Sequence, residues 1–437
     1  MTKVLPYTAR IGGAAVLLLG LSLAPVVAQP HFGGELTLDK RVIVGDDSVA
    51  VADFYNRLRI GLYAPLGEKL YLFSSVEARF YDRPRTATSG DMEDVQEAFP
   101  LDVMLWEGYA DIYGFLFPNL DLRLGKQRIA WGRADQLNPT DNLNPDDFSD
   151  LIRFYEKLPT WAAKGTYYAG QFQITGVWVP TLTPILLPRG GAELFLGGTA
   201  AGTQGQVHLP DPEPGNGMAA LKVESRLGRW DYSVSYFTGY DDVPVLRRVV
   251  VGSEPTDVQL DFGFPRMQVL GADVATDLWG VGLWGEAGVF WPEEITTRTV
   301  AGPSIREQMI LEGDPYVKFT VGGDYTFPGG LYTNLQWMRG FFTERGAGTL
   351  HDYLVGEVER SALGGDVKLS LTGAWEVGTW DDVRGSYGYV LRPEMTYQAI
   401  DNLELNVGSF FVEGGDASLF GGWEQTDQLY LRATVSF

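Results

Sequence analysis

The sequence predicts an all-β protein: a transmembrane, up-and-down antiparallel β-barrel of about eighteen strands, or about sixteen, since such barrels favour even counts. Three observations lead to this prediction. Apolar and polar residues alternate with a period of two through most of the chain after residue 33. The connections between the alternating segments are short and long in turn. The chain also ends on an alternating segment whose last residue is Phe437.

The lengths of the alternating segments favour a membrane barrel over a soluble sandwich. Many run for about 10–13 residues, close to the roughly 9–11 that a tilted membrane strand needs, whereas strands of ordinary sheets average about five or six. The predicted strands are 34–44, 52–64, 69–81, 103–115, 119–132, 160–169, 171–179, 217–227, 229–239, 265–276, 279–291, 314–327, 330–342, 350–361, 366–378, 386–399, 403–412 and 427–437.

The connections indicate which end of the barrel faces outward. The short ones are rich in Gly, Pro, Asn and Asp, which suit tight hairpin turns. Outer-membrane barrels have tight periplasmic turns and long extracellular loops, so both termini are predicted to lie on the periplasmic side. The long connections are 83–102, 133–159, 180–216, 240–264, 292–313 and 413–426.

The beginning of the chain has the three regions of a secretory signal peptide. Lys3 and Arg10 are basic, residues 11–23 are apolar, and 26–28 are small enough for a cleavage site. We therefore expect 1–28 to be removed on export. The mature chain would be a single barrel domain, 29–437, in the bacterial outer membrane.

Composition excludes several classes of function. The chain has no cysteine, which rules out disulfides, thiolate metal sites and a Cys nucleophile. Its net charge of −22 disfavours nucleic acid as a partner. There are only three histidines, and none lies in a motif that would supply a base for a nucleophile. We predict no enzymatic activity, no cofactor and no metal ion.

The sequence pattern of the last strand predicts two partners. Its alternation would turn one face towards outer-membrane lipid and lipopolysaccharide, with Arg432 on the lumen face. It resembles the C-terminal signal strand by which bacterial outer-membrane barrels are recognised, so the barrel assembly machinery is a predicted partner through Phe437. The residues on the lipid face are Leu429, Leu431, Ala433, Val435 and Phe437.

The same alternation assigns charged side chains of other strands to the lumen. A Lys or Arg turned towards hydrocarbon costs about 2–4 kcal/mol at the bilayer midplane, so charges that share one face of a strand indicate water on that face. We expect a polar lumen of mixed charge. The predicted pore-lining residues are Arg57, Arg59, Arg79, Arg123, Glu77, Glu107, Asp111 and Gln127.

The four arginines of this set, which we call the arginine ladder, allow two interpretations. They could face acidic groups on a loop and create a transverse field, because charged rings of this kind set ion selectivity. Alternatively, they form ion pairs with Glu77, Glu107 and Asp111 that stabilise the wall.

Aromatic residues near the strand ends, including Trp106 and Trp284, are expected to form interfacial belts.

The third predicted extracellular loop, 133–159, which follows the fifth predicted strand, is the candidate constriction loop. It contains a near-repeat, Asn138–Asp141 and Asn144–Asp147, in which each Asn precedes a Pro and favours a turn. A compact fold is expected, either within the lumen or as a surface cap. Its oxygen-rich side chains could also bind Ca²⁺, although the EF-hand spacing is absent. The candidate residues of the loop are Trp131, Arg133, Asp135, Asn138, Asp141, Asn144, Asp146 and Asp147.

The run GKQRIAWGRADQLNPTDNLNPDDF resembles a segment of uncharacterised porin-like bacterial outer-membrane β-barrels, in which a Gly-Lys-Gln strand leads into Trp-Gly and Asn-Pro-x-Asp. The resemblance extends loosely, through the Gly-Lys-Gln strand alone, to phosphate-selective and alginate-export porins. It implies a barrel and, in general bacterial porins, a third loop that folds back into the lumen. The residues that match the motif are Gly125, Trp131, Gly132, Asn138, Pro139 and Asp141.

The combined prediction is an outer-membrane porin-like channel for passive diffusion of small hydrophilic solutes. The alternative is a non-conducting barrel that acts as a scaffold, adhesin or assembly partner through acidic extracellular loops. A homo-oligomer is compatible with either.

Overall fold

The computed structural model describes residues 29–437 except 46–48, 53–54, 87, 136, 154, 188–204, 253–257 and 424–425. The predicted signal peptide, 1–28, and Gln136 of the candidate loop lie outside the described residues. Within the described part of the chain, no helix is long and apolar enough to cross a membrane.

The described residues form strands almost throughout. The strands are β1 (His31–Val44), β2 (Val49–Val51), β3 (Asn56–Leu66), β4 (Leu70–Phe80), β5 (Leu101–Ile112), β6 (Leu120–Gln127), β7 (Thr160–Ala169), β8 (Phe172–Val179), β9 (Gly205–His208), β10 (Met218–Leu227), β11 (Trp230–Tyr240), β12 (Val245–Val251), β13 (Val258–Gly263), β14 (Arg266–Leu278), β15 (Val281–Pro292), β16 (Ile295–Ala301), β17 (Ser304–Leu311), β18 (Tyr316–Thr326), β19 (Leu331–Arg339), β20 (Asp352–Ala362), β21 (Val367–Val377), β22 (Tyr387–Ile400), β23 (Leu403–Gly414) and β24 (Gln428–Ser436). Two single-turn helices are α1 (Val95–Ala98) and α2 (Val383–Ser386).

Eighteen long strands form one closed antiparallel barrel. Each pairs with the next long strand of the chain, and β24 pairs with β1 from Glu35–Ser436 to Ile43–Gln428, which closes the sheet. Alternation sets the faces as predicted: in β1, Asp39 and Arg41 are buried inside, whereas Leu38, directly before Asp39, is exposed on the outer face. The predicted fold class, an up-and-down barrel of eighteen strands, is confirmed.

The long connections contain further strands that the sequence analysis assigned to loops. The strands β9, β12, β13, β16 and β17 form a separate five-stranded sheet, in which β17 is an edge and the neighbours β12 and β16 are parallel. These strands are at most eight residues long and lie inside connections whose length was the barrel signal. Their own alternation was therefore attributed to irregular loops.

The interior of the barrel is less polar than predicted. One apolar cluster packs Ile129, Trp131 and Leu143 against inward side chains of β7–β18, among them Phe237 and Phe290. A second apolar cluster joins the segment 148–152 to inward residues of β19–β24 and to the 341–353 and 420–423 regions. These walls can be apolar because the chain between Ile129 and Ile152 covers them and excludes water. The polar wall is the remaining one, centred on β1 and β3–β6.

Candidate functional site

The connection between β6 and β7 crosses the interior of the barrel. It begins at residue 128, since β6 ends at Gln127 rather than at 132 as predicted. Its groups contact inward side chains of β1, β3 and β4, and also those of β14, β15, β18, β19 and β22. We call the whole connection, 128–159, the inner loop.

Asn144 fastens the two ends of the inner loop together. Its side-chain oxygen accepts from the backbone N–H of Ile129 at 2.7 Å, and its amide nitrogen donates to the Leu158 carbonyl at 2.9 Å. The side chain is buried. Asn supplies both a donor and an acceptor, which explains why the second Asn-Pro turn needs this residue. The bond to Ile129 also draws the backbone away from the sheet after β6 ends.

Glu286 of β15 anchors the first Asn-Pro turn. One carboxylate oxygen accepts from the backbone N–H groups of Arg133 and Ala134, at 2.7 and 2.9 Å, and from the Asn138 amide at 3.2 Å. The other accepts from the Thr140 backbone N–H at 2.9 Å and its hydroxyl at 2.6 Å. The carboxylate is only 3% exposed, so these charge-assisted bonds take the place of water.

Trp131 and Gly132 position the inner loop against Glu286. Gly132 has a φ of +82°, and an added Cβ would overlap both carboxylate oxygens of Glu286. Glycine is therefore required twice, by the backbone conformation and by the close approach. Trp131 is buried in the first apolar cluster, with the Lys222 ammonium 4.8 Å from its ring centre.

Asp135 and Arg133 hold the loop against other parts of the same wall. The Asn334 amide donates to the Asp135 carboxylate at 2.9 Å, and Gln336 donates to the Asp135 carbonyl at 3.1 Å. Arg133 donates to Asp273 at 2.8 Å. Burial raises the pKa of Asp135, and the Asn334 hydrogen bond opposes that shift. These two predicted loop residues therefore face β14 and β19 rather than the arginine ladder.

Ladder arginines reach the opposite side of the inner loop. Arg79 donates to Asp147 at 3.0 Å, and Arg57 donates to Glu156 at 3.2 Å. Of the carboxylates predicted in the loop, Asp147 alone has a described ion pair with the ladder, and the sequence analysis missed Glu156.

A related contact lies at the seam of the barrel, where β24 pairs with β1 and closes the sheet. Arg41 of β1 donates to both oxygens of Asp150, at 2.6 and 2.7 Å. It also pairs with Asp39 of its own strand, which accepts from Arg432 of β24 at 2.8 Å. Burial raises the pKa of Asp150, but the Arg41 guanidinium outweighs burial and lowers it overall. The loop is thus tied to the pair of strands that closes the sheet.

The other predicted lumen residues form ion pairs within the wall. Glu77 accepts from Arg59 at 2.9 Å and from Arg79 at 2.6 Å. Asp111 accepts from both ends of the Arg123 fork, at 2.6 and 2.8 Å. The ladder therefore combines the two arrangements considered above, since some arginines face the loop and others pair along the wall.

The remaining two predicted lumen residues bind backbone groups. Glu107 accepts from the Arg128 backbone N–H at 2.8 Å and has no ion pair among the described residues, contrary to the predicted pairing. The Gln127 amide donates to the Ala162 carbonyl at 3.0 Å. Both contacts lie where β6 gives way to the inner loop, so they define its starting point.

Trp106 belongs to the lumen and not to an interfacial belt. It is 6% exposed, and the Arg59 and Arg79 guanidinium carbons lie 4.4 and 5.5 Å from its ring centre. The register between β4 and β5 shifts at Ser75–Val76, opposite this residue, and a bulge of this kind re-aims side chains. Trp284 likewise faces inward, where it donates to Gln336 at 3.1 Å.

A cavity of about 680 Å³ separates the inner loop from the polar wall. Its lining comes from β1, β3, β4, β5 and β24 and the connections beside them, from the inner loop, and from Leu186 and Leu187 of the next connection. The lining has six cationic and five anionic side chains, although the formal net charge of the whole chain is −22. The charged lining residues are Arg57, Arg79, Arg83, Arg85, Arg153, Arg432, Asp39, Asp102, Asp147, Asp150 and Glu156.

Buried charges surround a smaller cavity, about 60 Å³, on the other side of the loop. Lys157 pairs with Asp146 at 2.7 Å, and the Asp146 backbone N–H donates to Asp242 at 2.8 Å. Burial and the nearby Asp146 and Asp241 raise the pKa of Asp242 to about 7. Burial raises the pKa of Asp141 to about 6, although Lys157 opposes the shift. These carboxylates carry protons at higher pH than usual.

Comparisons with known proteins support the fold. No family model and no curated protein matches the sequence. The structure of OccAB3 from Acinetobacter baumannii is similar over 94% of this chain and 99% of that one, with a TM-score of 0.54 and 10% identity. OccK8 (OprE) from Pseudomonas aeruginosa is similar over 95% and 99%, with a TM-score of 0.52 and 8% identity. OpdK from the same species, solved with vanillate, is similar over 93% of this chain and 98% of that one, with a TM-score of 0.51 and 10% identity. The chain thus shares the barrel fold of OccK and Opd porin structures.

Proposed function

We propose that this protein is an outer-membrane porin-like channel through which small hydrophilic solutes diffuse passively. The observation that carries the proposal is the 680 Å³ cavity between the inner loop and the polar wall. The apolar clusters fill the space on the other sides of the loop. Solutes would therefore pass along β1 and β3–β5, and the inner loop would act as the constriction.

The lining of the cavity suggests how solutes are sorted. Rings of charge set the ion preference of a pore, and here six arginines and five carboxylates line one narrow space. Arg57 and Arg79 project from the wall, while Asp147 and Glu156 lie on the loop. A solute that enters would exchange its water for these paired groups, which favours small polar molecules. Vanillate, the small carboxylate in the OpdK structure, is a useful first probe.

The proposal extends to location and partners. The outer faces of the strands expose apolar residues such as Leu429 and Leu431, which suit a bilayer of lipid and lipopolysaccharide. Phe437 completes the last strand, with backbone bonds to Gly34 at 2.8 and 3.0 Å. We propose this strand as the contact for the barrel assembly machinery. Membership of the porin-like family suggested by the Trp-Gly and Asn-Pro-x-Asp motif, and the absence of catalysis, are parts of the same proposal.

Conductance measurements test the channel. Purified protein inserted into a planar bilayer should give discrete conductance steps, and a salt gradient should give a reversal potential that reports ion preference. The double variant Arg57→Gln and Arg79→Gln should shift that potential towards cations. Arg226→Gln, which removes an exposed charge paired at 3.8 Å with Asp231 of the neighbouring strand, is the matched control. Absence of steps over a range of salt would overturn the proposal.

The second candidate is a non-conducting barrel that binds a partner. The five-stranded sheet favours it, because its edge strand β17 is exposed over seven of its eight residues, and open edges can pair with other strands. This candidate predicts no conductance, and loss of partner binding when 240–264 or 180–216 is deleted. Normal conductance after these deletions would favour the channel.

A further inference from the structure

Three potential metal ligands meet at the extracellular end of the barrel, on the side away from the cavity. Glu344 lies in the connection between β19 and β20, His351 directly precedes β20, and Glu376 is near the end of β21. The donor atoms of the three side chains all lie within 4.8 Å of one another. The His351 Nδ1 is 2.6 Å from Glu376 Oε1 and 3.5 Å from Glu344 Oε1.

From this arrangement we propose a binding site for a divalent transition-metal ion of the zinc type. Zn²⁺ accepts both imidazole nitrogen and carboxylate oxygen as ligands, whereas imidazole disfavours Ca²⁺ and Mg²⁺. The Tyr353 hydroxyl, which donates to Glu344, places a further oxygen beside these three ligand atoms. Binding would require the Nδ1 of His351 to be free of its proton, so that its lone pair can reach the ion.

The charge of the cluster favours a cation. Glu376 is fully buried and Glu344 is 10% exposed, yet the only ion-pair partner that the described residues offer to either is His351. Glu77, another buried carboxylate of this barrel, is paired with two arginines. Two carboxylates beside a single imidazole leave net negative charge away from water, which is costly without a compensating ion.

The surroundings already hold the ligands as a metal site requires. The Glu376 oxygens accept from the backbone N–H groups of Leu419 and Phe420, at 2.7 and 2.9 Å. Glu344 Oε2 accepts from the backbone N–H groups of Phe341 and His351, at 2.9 and 3.0 Å. Outer hydrogen bonds of this kind orient ligating carboxylates. The His351 side chain is 22% exposed, which leaves a route for the ion.

A bound ion would join three separate stretches of the extracellular surface. The residues around 344 and 351, the end of β21 and the segment 419–420 converge on these ligands, and the second apolar cluster lies beneath them. The ion would therefore fix the extracellular loops over β19–β23. This site is independent of the proposed channel, because the residues that line the 680 Å³ cavity do not include its ligands.

Metal binding to the full mature protein in detergent tests the proposal. After treatment with a chelator and dialysis, the protein should bind one equivalent of Zn²⁺ by titration calorimetry, confirmed by elemental analysis, and Zn²⁺ should raise its melting temperature. His351→Ala and Glu344→Gln should each weaken binding at least tenfold. His208→Ala is the matched control, because His208 has an exposed carboxylate contact at 3.5 Å, with Asp261, and it should bind as the wild type does.

Heat-modifiable migration on gels will show that each variant retains its barrel. If the wild type binds no Zn²⁺ at micromolar concentrations, the proposal is wrong. It is also wrong if a folded His351→Ala variant binds Zn²⁺ as tightly as the wild type. Should His351→Ala fail to fold, Glu344→Gln decides by the same criterion, since it keeps the shape of the side chain.

Discussion

Replacing Glu286 with alanine should release the inner loop from the barrel wall. The carboxylate accepts five hydrogen bonds from the loop, three of them from the backbone N–H groups of residues 133, 134 and 140. A buried donor without a partner costs about 1–3 kcal/mol. At the low end of that range, the three N–H groups alone give about 3 kcal/mol. The ratio of released to docked loop should then rise roughly a hundredfold.

Single-channel recording measures this release. A loop that leaves its anchor should widen the passage, so Glu286→Ala is expected to show larger conductance steps and more rapid fluctuations than the wild type. Glu286→Gln should give an intermediate result, because it keeps one acceptor oxygen and turns a donor towards the remaining N–H groups. Asp277→Ala is the control, since it removes a carboxylate at an exposed turn, where it accepts from Gly280 at 3.3 Å.

The reasoning would be refuted by one clear result. If Glu286→Ala inserts as a folded barrel and its conductance and noise equal those of Asp277→Ala, the loop does not depend on this carboxylate. Limited proteolysis provides a second measurement on the same proteins. The inner loop of Glu286→Ala should be cut at protease concentrations that leave both the wild type and Asp277→Ala intact.

Three further predictions follow from the inner loop and its neighbours. Gly132→Ala should reproduce the conductance of Glu286→Ala, whereas Gly170→Ala, which has a similar positive φ but open space around it, should conduct normally; equal effects would implicate backbone strain alone. Asn144→Ala should open the base of the loop and cost about 1–3 kcal/mol of stability, measured by urea unfolding, and an unchanged midpoint would contradict the role of Asn144 as a fastener. The raised pKa of Asp242, to about 7, means that the folded protein holds this proton more tightly than the unfolded chain does. Stability from this group is therefore present at acid pH and lost as the pH rises from about 4 to about 7. Asp242→Asn should flatten the dependence of melting temperature on pH in that range, and an unchanged slope would exclude the group.

The strands were predictable because a barrel wall repeats one rule at every position. A side chain that meets lipid differs from one that meets the lumen, so alternation alone locates β1 and β24 within a few residues. The motif from Trp131 to Asp147 could likewise be singled out, since its turns depend on local sequence. Such local rules do not say which distant groups the turns will contact.

Other contacts could not be predicted because they depend on distant partners. Glu286 lies about 150 residues after the loop that it anchors, and in the sequence it is one more inward charge. Gly271 of the paired strand β14 was a usable signal, because an added Cβ there would meet Thr140 of the loop, and a small residue on a strand allows another segment to approach. The bulge beside Trp106 has no such signal, and it reversed the assignment of that side chain.

The contacts where β1 meets β24 also connect the inner loop with closure of the sheet. Arg41 and Arg432 come from the first and last strands, and together with Asp39 they build the position where Asp150 docks. The contact of Arg432 with Asp39 forms only when β24 pairs with β1 and closes the sheet. The attachment of the inner loop at Arg41 is therefore complete only in the closed barrel, whereas its anchor on Glu286 does not involve the last strand. We expect a barrel that is truncated before β24 to hold Asp150 less firmly, and so to show larger and noisier conductance steps than the full chain.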